Sequence, residues 1–360
     1  MQKSSLILAV CMFVNTVVFC PVNAEEQAGY TVTGDMRGGV PVISSLNTTK
    51  LPAGRYFFYF QAGTMASGQP LHVPVMVVQG AKPGRRLALT AAVHGDELNG
   101  IAVIHQLMRS VEPETMSGTL LALPGVNQTG LVNNHRTFQS SKGGGSQTDP
   151  NRIFPGTLVS GSPAEQYIGA VWHGLLKDNA DTAIDIHTQT TGSIYPLFVF
   201  SDFRNKKARA LAFALMPDLI KNDTGEKGSL ETTYIEASIP AVTFEVGRPK
   251  VFQNSLIQRA VAGLKNVMVL EGMLEGQLQL AEPAPFVGSS YTNVQAQEAG
   301  TAHLKVRLLD EVEKGQLIAV IVDPFGKEIR QYFAPHGGRV LSVATDPLRE
   351  AGTMLVRILH

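Results

Sequence analysis

Arg86-Leu87-Ala88-Leu89-Thr90-Ala91-Ala92-Val93-His94-Gly95-Asp96-Glu97-Leu98-Asn99-Gly100-Ile101-Ala102-Val103-Ile104 is the stretch whose reading decides the fold. Leu87 to Val93 has the length and apolar composition of a buried parallel strand. The run stops at His94-Gly95-Asp96-Glu97. Beyond it Ile101, Ile104, Leu107 and Met108 recur at helical spacing. His94 and Glu97 therefore sit between a strand end and a helix start, which is where ligands bind in open α/β sheets.

An imidazole and a carboxylate three residues apart can converge on one point. Zn²⁺ takes histidine nitrogen at about 2.0–2.1 Å and carboxylate oxygen at about 2.0–2.2 Å, and a catalytic zinc needs three protein ligands and one open position. A second strand-like run, Thr182-Ala183-Ile184-Asp185-Ile186-His187, ends in the candidate third ligand. The competing reading is a helix start with a chance acid, plus a hydrogen-bonded core histidine at 187. Asp185 lies on the same strand face as His187. It is either the carboxylate partner of a metal-bound imidazole or a plain buried ion-pair residue.

A third apolar run, Pro240-Ala241-Val242-Thr243-Phe244-Glu245-Val246-Gly247, carries a carboxylate in its middle. Burying it is costly unless it is paired. Beside a metal, Glu245 is placed to act as a general base toward water. Between these runs, Val126 to Gly161 shows no hydrophobic period. Loops of that length inside a compact domain are usually functional. This one holds Arg136 and the segment Asp149-Pro150-Asn151-Arg152-Ile153-Phe154-Pro155-Gly156. A guanidinium binds carboxylates bidentately and stays charged at any working pH. Ser162-Pro163-Ala164-Glu165 reads as a capping box opening a helix. Residues 204–220 and 254–274 read as two further helices.

Residues 25–85 read as edge strands feeding the sheet, with candidates at 56–60 and 73–78. After a linker at 281–285, short alternating runs at 303–308, 316–322, 328–333, 339–343 and 354–359 read as a small all-β domain. The divisions expected are a targeting segment at 1–24, a catalytic domain at 25–280 and a β domain at 281–360. The targeting segment has a basic start, an apolar run and small residues at Val22-Asn23-Ala24, so signal cleavage is expected after Ala24. Both cysteines, Cys11 and Cys20, fall inside it. The exported chain would then hold any metal through His, Asp or Glu alone. Thirty basic residues balance thirty acidic ones and no basic stripe is visible, which speaks against a nucleic-acid partner. No membrane partner is expected once the signal is removed, and the oligomeric state is left open.

His94-Gly95-Asp96-Glu97, Asp149 to Gly156, Asp185-Ile186-His187-Thr188 and Thr243-Phe244-Glu245-Val246-Gly247 occur in an order that resembles the succinylglutamate desuccinylase/aspartoacylase family, a branch of the zinc carboxypeptidase-like hydrolases. The resemblance runs from about residue 70 to the C-terminus. It implies a doubly wound mixed sheet of zinc carboxypeptidase type with a C-terminal β domain of barrel-sandwich form. Carried over by motif, His94, Glu97 and His187 hold one Zn²⁺ per chain and Glu245 is the general base. Asn151 and Arg152 hold a substrate carboxylate, and Arg136 stabilises the oxyanion. Pro150 stands where the family commonly has leucine, and a Gly-Ser insert widens the gap between Arg136 and Asn151. Ala334-Pro335-His336-Gly337-Gly338-Arg339-Val340 resembles the family's barrel-sandwich turn but has no lysine for a covalent cofactor. The activity implied is hydrolysis of an amide in a small-molecule or peptide substrate with a free carboxylate. Deacylation of an N-acyl amino acid leads, with carboxypeptidase action on peptides or cell-wall peptides, or an inactive binding module, as rivals. Export places it in the periplasm or the medium.

Overall fold

Alternation along four neighbouring strands sorts the side chains onto two unlike faces. On Lys82–Ala91, Ser117–Leu123, Thr182–His187 and Ala241–Val246, one face presents Leu87, Leu89, Leu120, Ala122, Ile184, Ile186, Val242 and Phe244. Helices Asn99–Ser110, Lys206–Ala214 and Asn254–Leu270 bury this face. The opposite face starts apolar with Ala88, Leu121, Ala183 and Ala241, under helices Pro163–Val171 and Leu230–Glu236. Toward the strand C-termini it turns polar, with Thr90, Asp185, His187, Thr243 and Glu245. The period of two along a strand puts each residue and the one two places on side by side on one face.

The structure is a computed structural model and describes residues 25–360; the expected signal segment and both cysteines lie outside the described residues. The large sheet has twelve strands. Five from the N-terminal region, Glu25–Gln27, Tyr30–Arg37, Val40–Leu46, Gly54–Thr64 and Pro70–Gln79, lie along one flank in chain order. Next come Ser117–Leu123, Lys82–Ala91, Thr182–His187 and Ala241–Val246, mutually parallel, followed by antiparallel Leu197–Ser201. Leu219–Asn222 and Phe286–Gly288 complete the far edge. In register, Asp185 faces Thr90 on one side and Thr243 on the other, and His187 faces Glu245.

Two sequence expectations change. Residues 204–220 are not one helix. The helix is Lys206–Ala214, N-capped by Asn205, and a strand begins at Leu219. Pro217 has no N–H to continue the ladder and disfavours the helical region for the residue before it. Met216, the residue before it, leaves the helical region with φ 51°. The C-terminal β region does not close into a barrel. One sheet runs Ser193–Ile194, Gly338–Ala344, Met354–Leu359, Tyr291–Gln295, and the other Glu328–Phe333, Leu317–Val322, Gly300–Leu304, Leu348–Arg349. They share a core that includes Ile318, Val340 and Val356. The end strands Ser193–Ile194 and Leu348–Arg349 are two residues each, too short to carry a ladder round to closure. Ser193–Ile194 follows the His187 loop, so its pairing with Gly338–Ala344 stitches the β region to the large sheet.

The central strand ends at Ala91, two residues earlier than the apolar run suggests, because Ala92 takes the left-handed value φ 53°. Val126 N–H and Asn127 N–H donate to the carbonyls of Ala91 and Ala92 and hold the turn. The chain at Gly130-Leu131 then crosses over Gly95: a Cβ there would lie 2.1 Å from the Gly130 carbonyl carbon and 2.3 Å from the Leu131 nitrogen. Both obstacles are backbone and cannot swing aside. Gly95→Ala is expected to cost about 1–3 kcal/mol through overpacking and to lower the melting temperature by several degrees. Thermal melting by circular dichroism reads this, and an unchanged melt would contradict the crossing.

Candidate active site

Three strand ends deliver the site. His94 and Glu97 come from the loop after Lys82–Ala91, and His187 is the last residue of the neighbouring parallel strand. The His94 and His187 Nδ1 atoms are 3.1 Å apart. His94 Nδ1 is 2.9 Å from Glu97 Oε1, and His187 Nδ1 is 2.9 Å from Glu97 Oε2. The three side chains are at most 3% exposed. Two imidazole nitrogens thus converge on the two oxygens of one carboxylate.

Each ring is clamped from behind by a second carboxylate. His187 Nε2 faces Asp185 Oδ2 at 2.7 Å, and His94 Nε2 faces Asp149 Oδ1 at 3.0 Å. A carboxylate only accepts, so each Nε2 donates its proton outward, and each Nδ1 is the nitrogen that would offer a lone pair to a cation bound beside Glu97. Thr90 Oγ1–H donates to Asp185 Oδ1 at 2.6 Å, which fixes that acid in turn. Outer carboxylates of this kind set tautomer and orientation at metal sites. Three converging lone-pair donors leave positive charge wanting at their centre. Burial opposes ionisation of Glu97, yet His94 and His187 beside it hold its carboxyl well below the usual carboxylate range. Burial likewise opposes protonation of His187, but Asp185 and Glu97 outweigh it and push that imidazole well above its ordinary value. A divalent cation would supply that charge, and the donor set could hold one.

Glu245 stands in register beside His187 on the same face. Its Oε2 is buried and has no hydrogen-bond partner. Burial raises its pKa to about 8, partly offset by His187, Arg136 and Arg357, while Glu97 adds to the rise. Arg136 Nη1 donates to Glu97 Oε1 at 2.9 Å and Nη2 to Asp149 Oδ2 at 3.3 Å. Its backbone carbonyl accepts from Gly95 N–H and from Asn127 Nδ2, tying it to the His94 loop. Asn151 lines the same pocket, with Oδ1 accepting the Leu230 N–H at 2.8 Å to cap that helix. Arg152 sits at the rim, with Nε 2.9 Å from Glu226 Oε1. The eight residues singled out from the sequence thus gather around one cavity of about 250 Å³, with Asp185 behind its wall.

Sequence reasoning missed four contributors. Asp149 lay inside a quoted motif, but nothing local revealed that it clamps His94. Glu231 lines the pocket from helix Leu230–Glu236 and accepts from Thr243 Oγ1 at 3.0 Å. Arg357 and Tyr291 reach in from the C-terminal β region, with the guanidinium 4.3 Å over the Tyr291 ring and hydrogen-bonded to Tyr195 Oη and Asn293 Oδ1. Alternation along short strands does not distinguish such residues from ordinary surface positions.

A strand-end cluster able to hold a metal lies at the C-terminal edge of a large mixed sheet. The catalytic-domain pattern of succinylglutamate desuccinylase/aspartoacylase matches residues 83–270, just over half the chain. The chain belongs to that family, and so to enzymes that hydrolyse amide bonds. A relative from Halomonas elongata, named N-alpha-acetyl-L-2,4-diaminobutyric acid deacetylase, is 28% identical over 263 residues, covering 70% of this chain and 74% of that protein. Among solved structures, the ectoine utilisation protein EutE from Ruegeria pomeroyi superposes with a TM-score of 0.75 at 21% identity, over 92% of this chain and 99% of that one. A succinylglutamate desuccinylase from Silicibacter sp. gives 0.73 at 21% identity, over 85% and 95%. These two likenesses establish the fold.

Two predictions follow from the carboxylates. Asp149→Asn and Asp185→Asn each keep the side chain's shape but weaken the clamp on a ligand imidazole. Each is expected to lower metal affinity about 10–100-fold by competition with a chromophoric chelator; unchanged affinity would deny the clamp. Glu231 is held up to about 8, chiefly by burial. Its folded pKa lies above its unfolded one, so its contribution to stability is lost as pH rises between about 4.5 and about 8. The melting temperature of the native chain minus that of Glu231→Gln should fall across that window. A difference that stays level would show Glu231 already ionised.

Proposed function

We propose that the chain is an exported zinc-dependent deacylase that cleaves the amide of a small N-acylated amino acid. The observation that carries this reading is the convergence of His94, Glu97 and His187, with the unpartnered Oε2 of Glu245 beside it. The family and the deacetylase relative support amide hydrolysis. The two-histidine, one-carboxylate donor set suits zinc and leaves a coordination position open.

When bound, Zn²⁺ would polarise the scissile carbonyl and lower the pKa of water at the site. This chain's residues do the rest. Glu245, raised by burial into the range where a base and an acid are both useful near neutral pH, takes a proton from the attacking water and returns it to the leaving nitrogen. Arg136, positioned by Glu97 and Asp149, turns its guanidinium toward the charge that develops on the carbonyl oxygen. Arg152 at the rim exchanges Glu226 for a substrate carboxylate, and Asn151 fixes the loop that carries it. A carboxylate anchored this way orients the amide over the triad. Targeting by residues 1–24 would place the mature chain, beginning at Glu25, in the periplasm or the medium.

Glu245→Gln should reduce kcat by about 10²–10⁴-fold against acetylated amino acids. Bound zinc, measured by atomic absorption, should stay near one per chain. Loss of zinc in this variant would make Glu245 a ligand instead of the base. N-terminal sequencing of protein recovered from intact cells tests the export step: a start at Met1 would refute it.

A further inference from the structure

We infer that Glu231 reads a positively charged side chain on the substrate, so that the preferred substrates are N-acylated amino acids ending in a protonated amine. The inference rests on the deacylase reading above and deepens it.

The charges around the pocket nearly all have partners. Arg136 faces Glu97 and Asp149, Arg152 faces Glu226, and Lys221 pairs with Asp223. Glu97 belongs to the triad and Glu245 to the chemistry. Glu231 is different. It lines the pocket, is 5% exposed, and accepts a hydrogen bond from Thr243 Oγ1. Among the described residues no lysine, arginine or histidine forms an ion pair with it. The acids Asp223, Asp185 and Asp202 act against its ionisation. A buried carboxyl with only a hydroxyl for company gains little for the fold, and burying it is costly. Apolar residues fill most of the surrounding helix–sheet interface. Its position in a pocket wall gives it a use that a position in a closed core would not.

Its place matches a side-chain subsite. Thr243 and Glu245 are two residues apart on one strand face, a rise of roughly 7 Å. The Glu231 carboxyl, held on Thr243, therefore lines the same cavity as Glu245, the group that handles the scissile amide. A terminal ammonium reaching it would make a charge-assisted hydrogen bond in a site shielded from water. A terminal ammonium would favour the ionised form, a terminal methyl would leave the acid unpaired, and a terminal carboxylate would add to the acids Asp223, Asp185 and Asp202 that already oppose its ionisation. This is discrimination by leaving buried polar groups unmatched.

The test uses the full mature chain loaded with zinc and three probes: α-N-acetyl-2,4-diaminobutyrate, its neutral isostere α-N-acetylnorvaline, and α-N-acetylglutamate. The native chain should favour the first over the second in kcat/KM by at least about tenfold, a gap of about 1.4 kcal/mol. Glu231→Gln should bring that ratio close to one, and Glu231→Asp should restore part of it. Calorimetric titration of the same probes into Glu245→Gln, with and without Glu231→Gln, reads binding apart from turnover and should show the same collapse of preference. A native chain indifferent to the amine, or a ratio that survives Glu231→Gln in a variant whose melting curve is intact, overturns the assignment. Turnover of all three probes alike leaves the deacylase reading standing and removes this inference. Binding preference for the ammonium without any turnover removes the deacylase reading and keeps Glu231 as the cation subsite.

Discussion

The carboxylate of Glu97 is the interaction on which the site depends. It is 1% exposed, yet four groups from three places in the chain meet it. His94 Nδ1 and Arg136 Nη1 approach Oε1, while His187 Nδ1 and the Thr188 N–H approach Oε2, all at 2.9 Å. A buried charge is tolerated only with such compensation. The compensation is also the architecture: the loop after one strand, the end of the next strand, and the long loop carrying Arg136 are drawn to one point. The left-handed Ala92 and the close crossing at Gly95 are what let the backbone make that approach.

The sheet divides its labour by face. One side is apolar to the strand ends and packs under three helices, with Leu87, Leu89, Ile184, Ile186, Val242 and Phe244 essentially sealed from solvent. Burial of this kind supplies most of the driving force for folding. The other side exchanges apolar residues for Asp185, His187, Thr243 and Glu245 as the strands approach their C-termini. Stability is thus secured within a residue of the chemistry but on the opposite surface. The row Thr90–Asp185–Thr243 lies behind the triad and braces it, with Thr90 on Asp185 and Thr243 on Glu231.

The C-terminal β region is part of the pocket. Its last strand contributes Arg357, and Tyr291 stands beneath that guanidinium. Tyr195, two residues beyond the His187 loop's Ser193, joins them through Arg357. The backbone pairing of Ser193–Ile194 with Gly338–Ala344 holds these elements in place. Arg357 and Tyr291 thus line the same cavity as Glu231, although they come from the other end of the chain.

Much of this was legible in the chain. Runs ending in His94 and His187, the carboxylate inside the third run, and the order of four short motifs pointed to the sheet, to the clustering of His94, Glu97 and His187, and to the buried carboxylate beside them. They did so because strand periodicity and ligand chemistry are local: a run of side chains and its terminal residue are read within ten positions. Tertiary structure decided the remainder. That Asp149 clamps His94 across 55 positions, that Pro217 turns one expected helix into a helix and a strand, that the β sheets stay open, and that Glu231, Tyr291 and Arg357 face the cavity all depend on which distant segments pack together. No spacing records a contact made only after the chain has folded back on itself.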